Sequence, residues 1–150
     1  MADSIRKKIL VAIMTRLQTI RPSNGYTVDV PVSNVKLGDY VPEQYPAIIV
    51  IPGAERVEES SHDLLTFTLP VEIALWTDKR TGTPAETLED LLADVRKAVQ
   101  QVNAFGTQAL DVDDLGASAP GILESDPDRS VLTLTIEVPY RHQRMDPSLP

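Results

Sequence analysis

Two stretches of strict period-two alternation constrain this chain more than any other feature. Leu64–Thr77 reads LLTFTLPVEIALWT, with Leu65, Phe67, Leu69, Val71, Ile73 and Leu75 on one parity and Thr66, Thr68, Pro70 and Glu72 on the other. Val131–Tyr140 reads VLTLTIEVPY and repeats the pattern, setting Leu132, Leu134, Ile136, Val138 and Tyr140 against Thr133, Thr135, Glu137 and Pro139. Such alternation, rich in β-branched and aromatic residues, predicts strands with one buried face. Both stretches carry Thr-Thr-Glu on the polar side, which places them in one sheet as antiparallel neighbours. Pro70 and Pro139 cannot donate to a ladder and predict an edge, a bulge or a kink.

Two helices are predicted to cover that sheet. In Asp3–Ile20, residues Ile5, Ile9, Ala12, Ile13, Leu17 and Ile20 recur at helical spacing with the stem of Arg16, and Asp3 or Ser4 supplies the cap. In Pro84–Asn103 the apolar stripe is Leu88, Leu91, Leu92, Val95, Ala98, Val99 and Val102. Thr83 before it, Pro84 at the first helical position and Glu86 form a capping-box signature, and Gly106 suits a C-terminal cap.

The connections are less strongly patterned. Tyr26–Val30 reads as a short strand, Val32–Gln44 as a surface loop and Tyr45–Ile51 as a strand covered on both faces. Gly53–Asp63 is polar and reads as the projecting tip of a long hairpin. Thr107–Arg129 reads as irregular and acidic, with a short strand near Gly121–Glu124, and the segment after Tyr140 reads as a loose tail from about residue 141. At 150 residues the expectation is a single α+β domain. Its mostly antiparallel sheet would have about four to five strands, with two principal helices packed on it.

Composition narrows the chemistry. There is no cysteine, so disulfides, thiolate metal sites and cysteine nucleophiles are excluded. No apolar run is long enough to span a membrane. The net charge of −8 disfavours holding DNA by its phosphates, though it suits a surface past which DNA slides. Ser60, Ser61, His62 and Asp63 are triad-type residues, but sequence neighbours on an extended loop do not form a triad. Asp111-Val112-Asp113-Asp114-Leu115-Gly116 starts like a calcium loop, yet Leu115 and Ile122 fall where oxygen ligands are required. Neither nucleotide-binding glycine motif occurs. No catalytic, cofactor or metal residue is therefore assigned, and the expectation is a protein that is not an enzyme.

Candidate contact residues remain. Arg6, Lys7 and Lys8 sit at a helix start, where the macrodipole disfavours positive charge, so they call for a carboxylate partner, from another subunit, or for full solvation. Glu55, Glu58, Glu59 and Asp63 charge the Gly53–Asp63 tip, and Val57 is its sizeable apolar side chain. Trp76, at a strand end on the polar parity, is either the margin of a core or an exposed anchor.

The order of elements resembles the tail-terminator (tail-completion) proteins of tailed bacteriophages, from IRKKILVAIMTRL through YPAIIVIPG and LTFTLPVEIALWT to AETLEDLLADVRKAVQQV and LTLTIEVPYRH. The resemblance spans about Ile5 to Tyr140 and lies in element order and style. It implies a virion structural protein in the neck, made in the host cytoplasm and without catalytic residues. Its homo-oligomeric ring, usually sixfold, would cap the tail tube, end its polymerisation and offer a surface to the head connector or stopper. Phage DNA would pass through the lumen without specific binding. The long acidic stretch and the Pro-containing tail depart from the pattern, leaving open another neck component, such as a head-completion, connector or minor tail protein. A small cytoplasmic enzyme or ligand-binding domain is the alternative of a different class, and would need a concave apolar pocket with convergent polar groups.

Overall fold

The two alternating stretches form the central pair of the sheet, and each is longer than its pattern suggested. The computed structural model describes residues 3–81, 83–100, 112–123 and 126–150. In chain order the elements are α1 (Ile5–Leu17), β1 (Val35–Leu37), β2 (Ala47–Pro52), β3 (Arg56–Ser60), β4 (Leu64–Asp78), α2 (Pro84–Val99), β5 (Asp113–Ala117), β6 (Gly121–Leu123) and β7 (Asp126–Gln143). β4 and β7 pair antiparallel without a break from Leu64↔Gln143 to Asp78↔Arg129.

Among the described residues seven strands take part, more than the four to five expected, but they occupy five lanes. β7 fills one edge of β4 along its whole length, so β2 (Ala47↔Trp76 to Pro52↔Val71) and β3 (Arg56↔Thr68 to Ser60↔Leu65) share the other. β5 and β6 likewise share the outer edge of β7. β1 lies parallel to β2 at the sheet margin, the one parallel pairing among the described residues of a mostly antiparallel sheet.

The expected parity holds. Phe67, Leu69, Val71, Ile73 and Leu75 are buried with Leu132, Leu134, Ile136, Val138 and Tyr140 beneath both helices. α1 contributes Ile5, Ile9, Leu10, Ile13 and Leu17, and α2 contributes Leu88, Leu91, Leu92, Val95, Ala98 and Val99. The opposite face of the sheet is only partly wet: Glu72 is exposed, whereas Thr68 and Ala74 are buried. β2 is covered on both faces, as its continuous apolar run implied. Ile48 and Val50 join the helical core, while Ala47 and Ile49 line a cleft beside Tyr40, Val41 and Pro42.

Pro70 marks the break in the β2/β3 lane. The Gly53 N–H donates to the Pro70 carbonyl at 2.8 Å, so the side of Pro70 that lacks a donor faces the gap between Pro52 and Arg56. A Cβ on Gly53 would come within 3.0 Å of Pro70 Cγ, which is why this crossing carries glycine. Pro139 lies just past Asp113↔Glu137, where the described ladder of β5 ends.

Several expectations are corrected. Tyr26–Val30 is not a strand, because the amides of Thr27 and Val28 bond to the Asp94 carboxylate instead of a neighbouring strand. The Val32–Gln44 loop contains β1. Gly53–Asp63 is not simply a loop: Arg56–Ser60 is a strand with a bulge between Val57 and Glu59, and the true tip shrinks to 61–63. Thr83 sits at the N-cap of α2 but makes no side-chain cap hydrogen bond, so no capping box forms there. Part of the acidic stretch is regular, as β5 and β6, the latter where a short strand was expected. The second helix ends at Val99 with Gln100 as its C-cap, short of the expected Asn103; Val102, the Gly106 cap, and Thr107 to Asp111 lie outside the described residues.

The C-terminal segment is not loose. β7 runs on to Gln143, and the chain then turns so that Gln143 N–H donates to Leu149 O at 2.9 Å. Ile5 N–H, one of the free amides opening α1, donates to Pro147 O at 2.8 Å. Backbone groups rather than apolar side chains tie this segment down, so no hydrophobic pattern announced it.

Candidate functional site

The candidate contact residues gather mostly at one end of the sheet, where β3, the start of β4 and the end of β7 extend together. α1 reaches this end through Arg6. Its guanidinium Nη1 lies 2.9 Å from Glu55 Oε2, and Nη2 donates to Gly53 O at 3.3 Å. Glu55 also accepts the hydroxyl proton of Tyr140, whose side chain is buried on β7. Burial first, and then the neighbouring Glu55 carboxylate, push the Tyr140 phenol well above its ordinary range. One carboxylate thus joins α1, the β2–β3 junction and β7.

The basic start of α1 is accordingly balanced within the chain. Lys7 Nζ lies 2.8 Å from Asp3 Oδ1, one turn back, while Ser4 Oγ accepts the Lys7 N–H as the cap. Lys8 Nζ donates to Ser148 O at 3.4 Å. The carboxylates sought for this cluster come from Asp3 and Glu55, so a second subunit is not required to supply them.

Beyond Glu55, the hairpin is exposed. Val57 is 60% exposed, and Arg56 pairs with Glu58 at 3.3 Å and Glu137 at 3.1 Å across the sheet. The hydrogen bond that it donates to the Glu137 carboxylate is the main reason that the Arg56 guanidinium is held more firmly protonated than usual. The side chain of Glu59 lies outside the described residues. Phe67 stacks on Tyr140 at 5.3 Å between centroids and on His142 at 4.9 Å, bracing the base of the projection.

Arg144 closes the tip. Its backbone N–H donates to Asp63 O at 2.8 Å, and its side chain donates to His62 O at 3.2 Å, Ser60 Oγ at 2.6 Å and Ser61 O at 2.9 Å. Ser61 also turns back on Leu64, its amide donating to Leu64 O at 2.9 Å. Ser60, Ser61 and His62 therefore serve the turn and its tether to the tail. Sequence reading missed Arg144, which stands in a segment with no apolar period.

Trp76 is not at this end. It is half-buried opposite Ala47 and Val131, on the far half of β4, and its indole N–H is buried with no hydrogen-bond partner among the described residues. It forms a core margin and is separate from the hairpin residues. A second missed group is Asp94 on α2, whose buried carboxylate holds the 27–28 segment. Nearby, Asp114 on β5 accepts from Arg96 Nε at 2.7 Å and Gln100 Nε2 at 2.7 Å, and the Arg96 bond holds its carboxyl below the usual carboxylate range.

The far end of the sheet carries an open cleft of about 450 Å³ lined by Pro31, Asn34, Tyr45, Asp78, Arg80 and Arg129. Several of its charged groups are engaged: Lys79 lies 2.8 Å from Asp128, Arg80 lies 3.7 Å from Asp78, and the Arg129 guanidinium sits 5.4 Å from the Tyr45 ring centroid. The cleft is lined mainly by polar and charged side chains. Among the described residues, no three histidines or acids cluster as a metal ion requires, and no helix is long and apolar enough to cross a membrane.

No protein-family model matches the chain, and no curated protein matches it in sequence. Among solved structures, its fold is similar to that of a chain in the virion of a native gene transfer agent particle. The TM-score is 0.53 and the identity 15%, over 92% of each chain. At that identity the likeness is one of fold, and it extends over nearly the whole of both chains.

Proposed function

We propose that this chain is a structural subunit of a phage-like virion, a neck protein whose ring caps the tail tube. The ring ends tube polymerisation and presents a surface for head attachment. The observation that carries this reading is the fold shared, over 92% of both chains, with a chain of a gene transfer agent virion. The resemblance in element order to tail terminators supports it independently. So does the character of the exposed groups among the described residues, which include strand ends, paired charges and a projecting hairpin. The partners are further copies of the chain, the tube protein, and the connector or stopper.

A closed ring needs a heterologous interface, in which one patch meets a different patch on the neighbour. Because Arg6 and Lys7 already have carboxylate partners in their own chain, ring formation does not rest on that basic cluster. The hairpin of β3 and β4, with Val57 and Glu58 exposed, is the element assigned to docking on the tube.

A reconstruction of the assembled particle tests the proposal. A ring of this chain at the head-proximal end of the tube is the expected result. Its presence at one copy, or away from the neck, overturns the reading, and placement beside the connector without tube contact assigns it to another neck component.

A further inference from the structure

The tip of the β3–β4 hairpin would be expected to be mobile, since it is polar, exposed and far from the helical core. Its hydrogen bonding says otherwise. The guanidinium of Arg144 donates to three acceptors on consecutive residues, Ser60 Oγ, Ser61 O and His62 O, and its own amide donates to Asp63 O. The last residue of β3 and all three residues of the tip are thereby held from one position on the returning tail.

The tail is in turn fixed to α1 through Pro147 O and the Ile5 amide, and through Ser148 O and Lys8 Nζ. The Asp146 carboxylate accepts from Ser148 Oγ at 2.6 Å and Ser148 N at 3.0 Å, which keeps the last turn closed. Two separate tethers therefore converge on residues 144–148, one running to the hairpin tip and one to the start of α1.

We infer that Arg144 is a positioning residue that presets the hairpin tip for docking, so that the subunit presents a formed surface instead of ordering a loop on contact. This rests on the assignment of the hairpin to docking in the proposed function. The physical gain is that ordering entropy is lost during folding and not during assembly. Only a guanidinium suits the role: its planar fork reaches several carbonyl and hydroxyl oxygens at once, whereas a lysine ammonium offers a single compact head.

Two variants separate the tethers. Arg144→Lys keeps the charge and the tail but loses the fork, and truncation after Arg144 keeps the fork but removes the Pro147 and Ser148 contacts. Native-state hydrogen exchange of the purified subunit reads both. Arg144→Lys is expected to speed exchange at the Ser61 and Leu64 amides about tenfold, with Ile73 and Leu134 unchanged. The truncation is expected to speed exchange at Ile5 while sparing the tip.

Unchanged tip exchange in Arg144→Lys overturns the inference. Particles assembled with the same variant give the second reading: overlong or headless tails support presetting, and normal particles despite a freed tip overturn it. Wild-type chain absent from purified virions would instead overturn the proposed function and leave the tether itself standing, so the two failures are distinguishable.

Discussion

The carboxylate of Asp94, buried on α2, lies 2.7 Å from the backbone nitrogen of Val28 and also accepts the Thr27 N–H at 3.0 Å. This contact pins the crossing from α1 to β1 against the second helix and takes the place of a strand ladder. Asp94→Ala leaves two backbone amides without their acceptor and is expected to cost about 2–3 kcal/mol. Asp94→Asn, keeping one oxygen, should cost less. Urea denaturation decides it, and a loss within about 0.5 kcal/mol for the alanine variant would refute the role.

Leu92→Ala removes a buried side chain from the stripe of α2 that faces the sheet, and is expected to cost about 2–5 kcal/mol. Thr135→Ala, on the opposite and partly wet face of β7, should cost about 0.5 kcal/mol or less. Similar losses for the two would mean that the wrong face of the sheet had been taken as core.

Gly53→Ala places a Cβ 3.0 Å from Pro70 Cγ and 3.3 Å from the Pro70 carbonyl oxygen, at the break between β2 and β3. Backbone cannot yield as a flexible side chain does, so the expected cost is about 1–3 kcal/mol. A melting temperature equal to wild type would show that the crossing has slack.

The acid limb of stability should depend on Asp114. Its folded-state pKa is lowered, chiefly by the Arg96 hydrogen bond, so the folded state binds this proton less readily than the unfolded chain. The resulting stabilisation is fully present above the unfolded carboxylate pKa of about 3.9 and is lost as the pH falls from there through the lowered folded value. Asp114→Asn should flatten the stability profile in that window and lower stability near neutrality. An unaltered acid limb would show that the Arg96 bond carries no net weight.

Val57→Asp should leave folding within about 0.5 kcal/mol of wild type, since the side chain is 60% exposed on an edge strand. Particles assembled with it are nevertheless expected to show overlong or unjoined tails under the electron microscope. Normal particles would move docking away from the hairpin.

The parts of the fold legible in the sequence are those where burial is one-sided and regular. β4, β7 and α2 each carry a clean period, because each buries one face through its middle, from Phe67 to Leu75, Leu132 to Tyr140 and Leu88 to Val99. β3 escaped for the opposite reason: Arg56, Val57, Glu58 and Ser60 are all exposed, and a bulge breaks the alternation. The apparent alternation of YTVDV misled because a single distant carboxylate, Asp94, satisfies that segment's amides. At the candidate site, the individual charges were legible but their partners were not. Arg6 and Glu55 are 49 residues apart, and Arg144 and His62 are 82 apart, and nothing in local spacing announces either pair.

The β4–β7 ladder also determines the order in which the molecule can be made. Its innermost-spaced pair, Asp78↔Arg129, already spans 51 residues, and Leu64↔Gln143 spans 79. Closing loops of that size costs entropy before any contact repays it, so pairing at the centre of the sheet should be slow, and later than the local docking of α2 on β4. During synthesis every other element emerges before β7, and until then β4 has an unpaired edge fifteen residues long. That edge can template wrong pairings between nascent chains. The bare nitrogen of Pro70 does not shield it, since the missing donor lies on the β2/β3 side, so the β7 side of β4 stays open until β7 itself pairs with it.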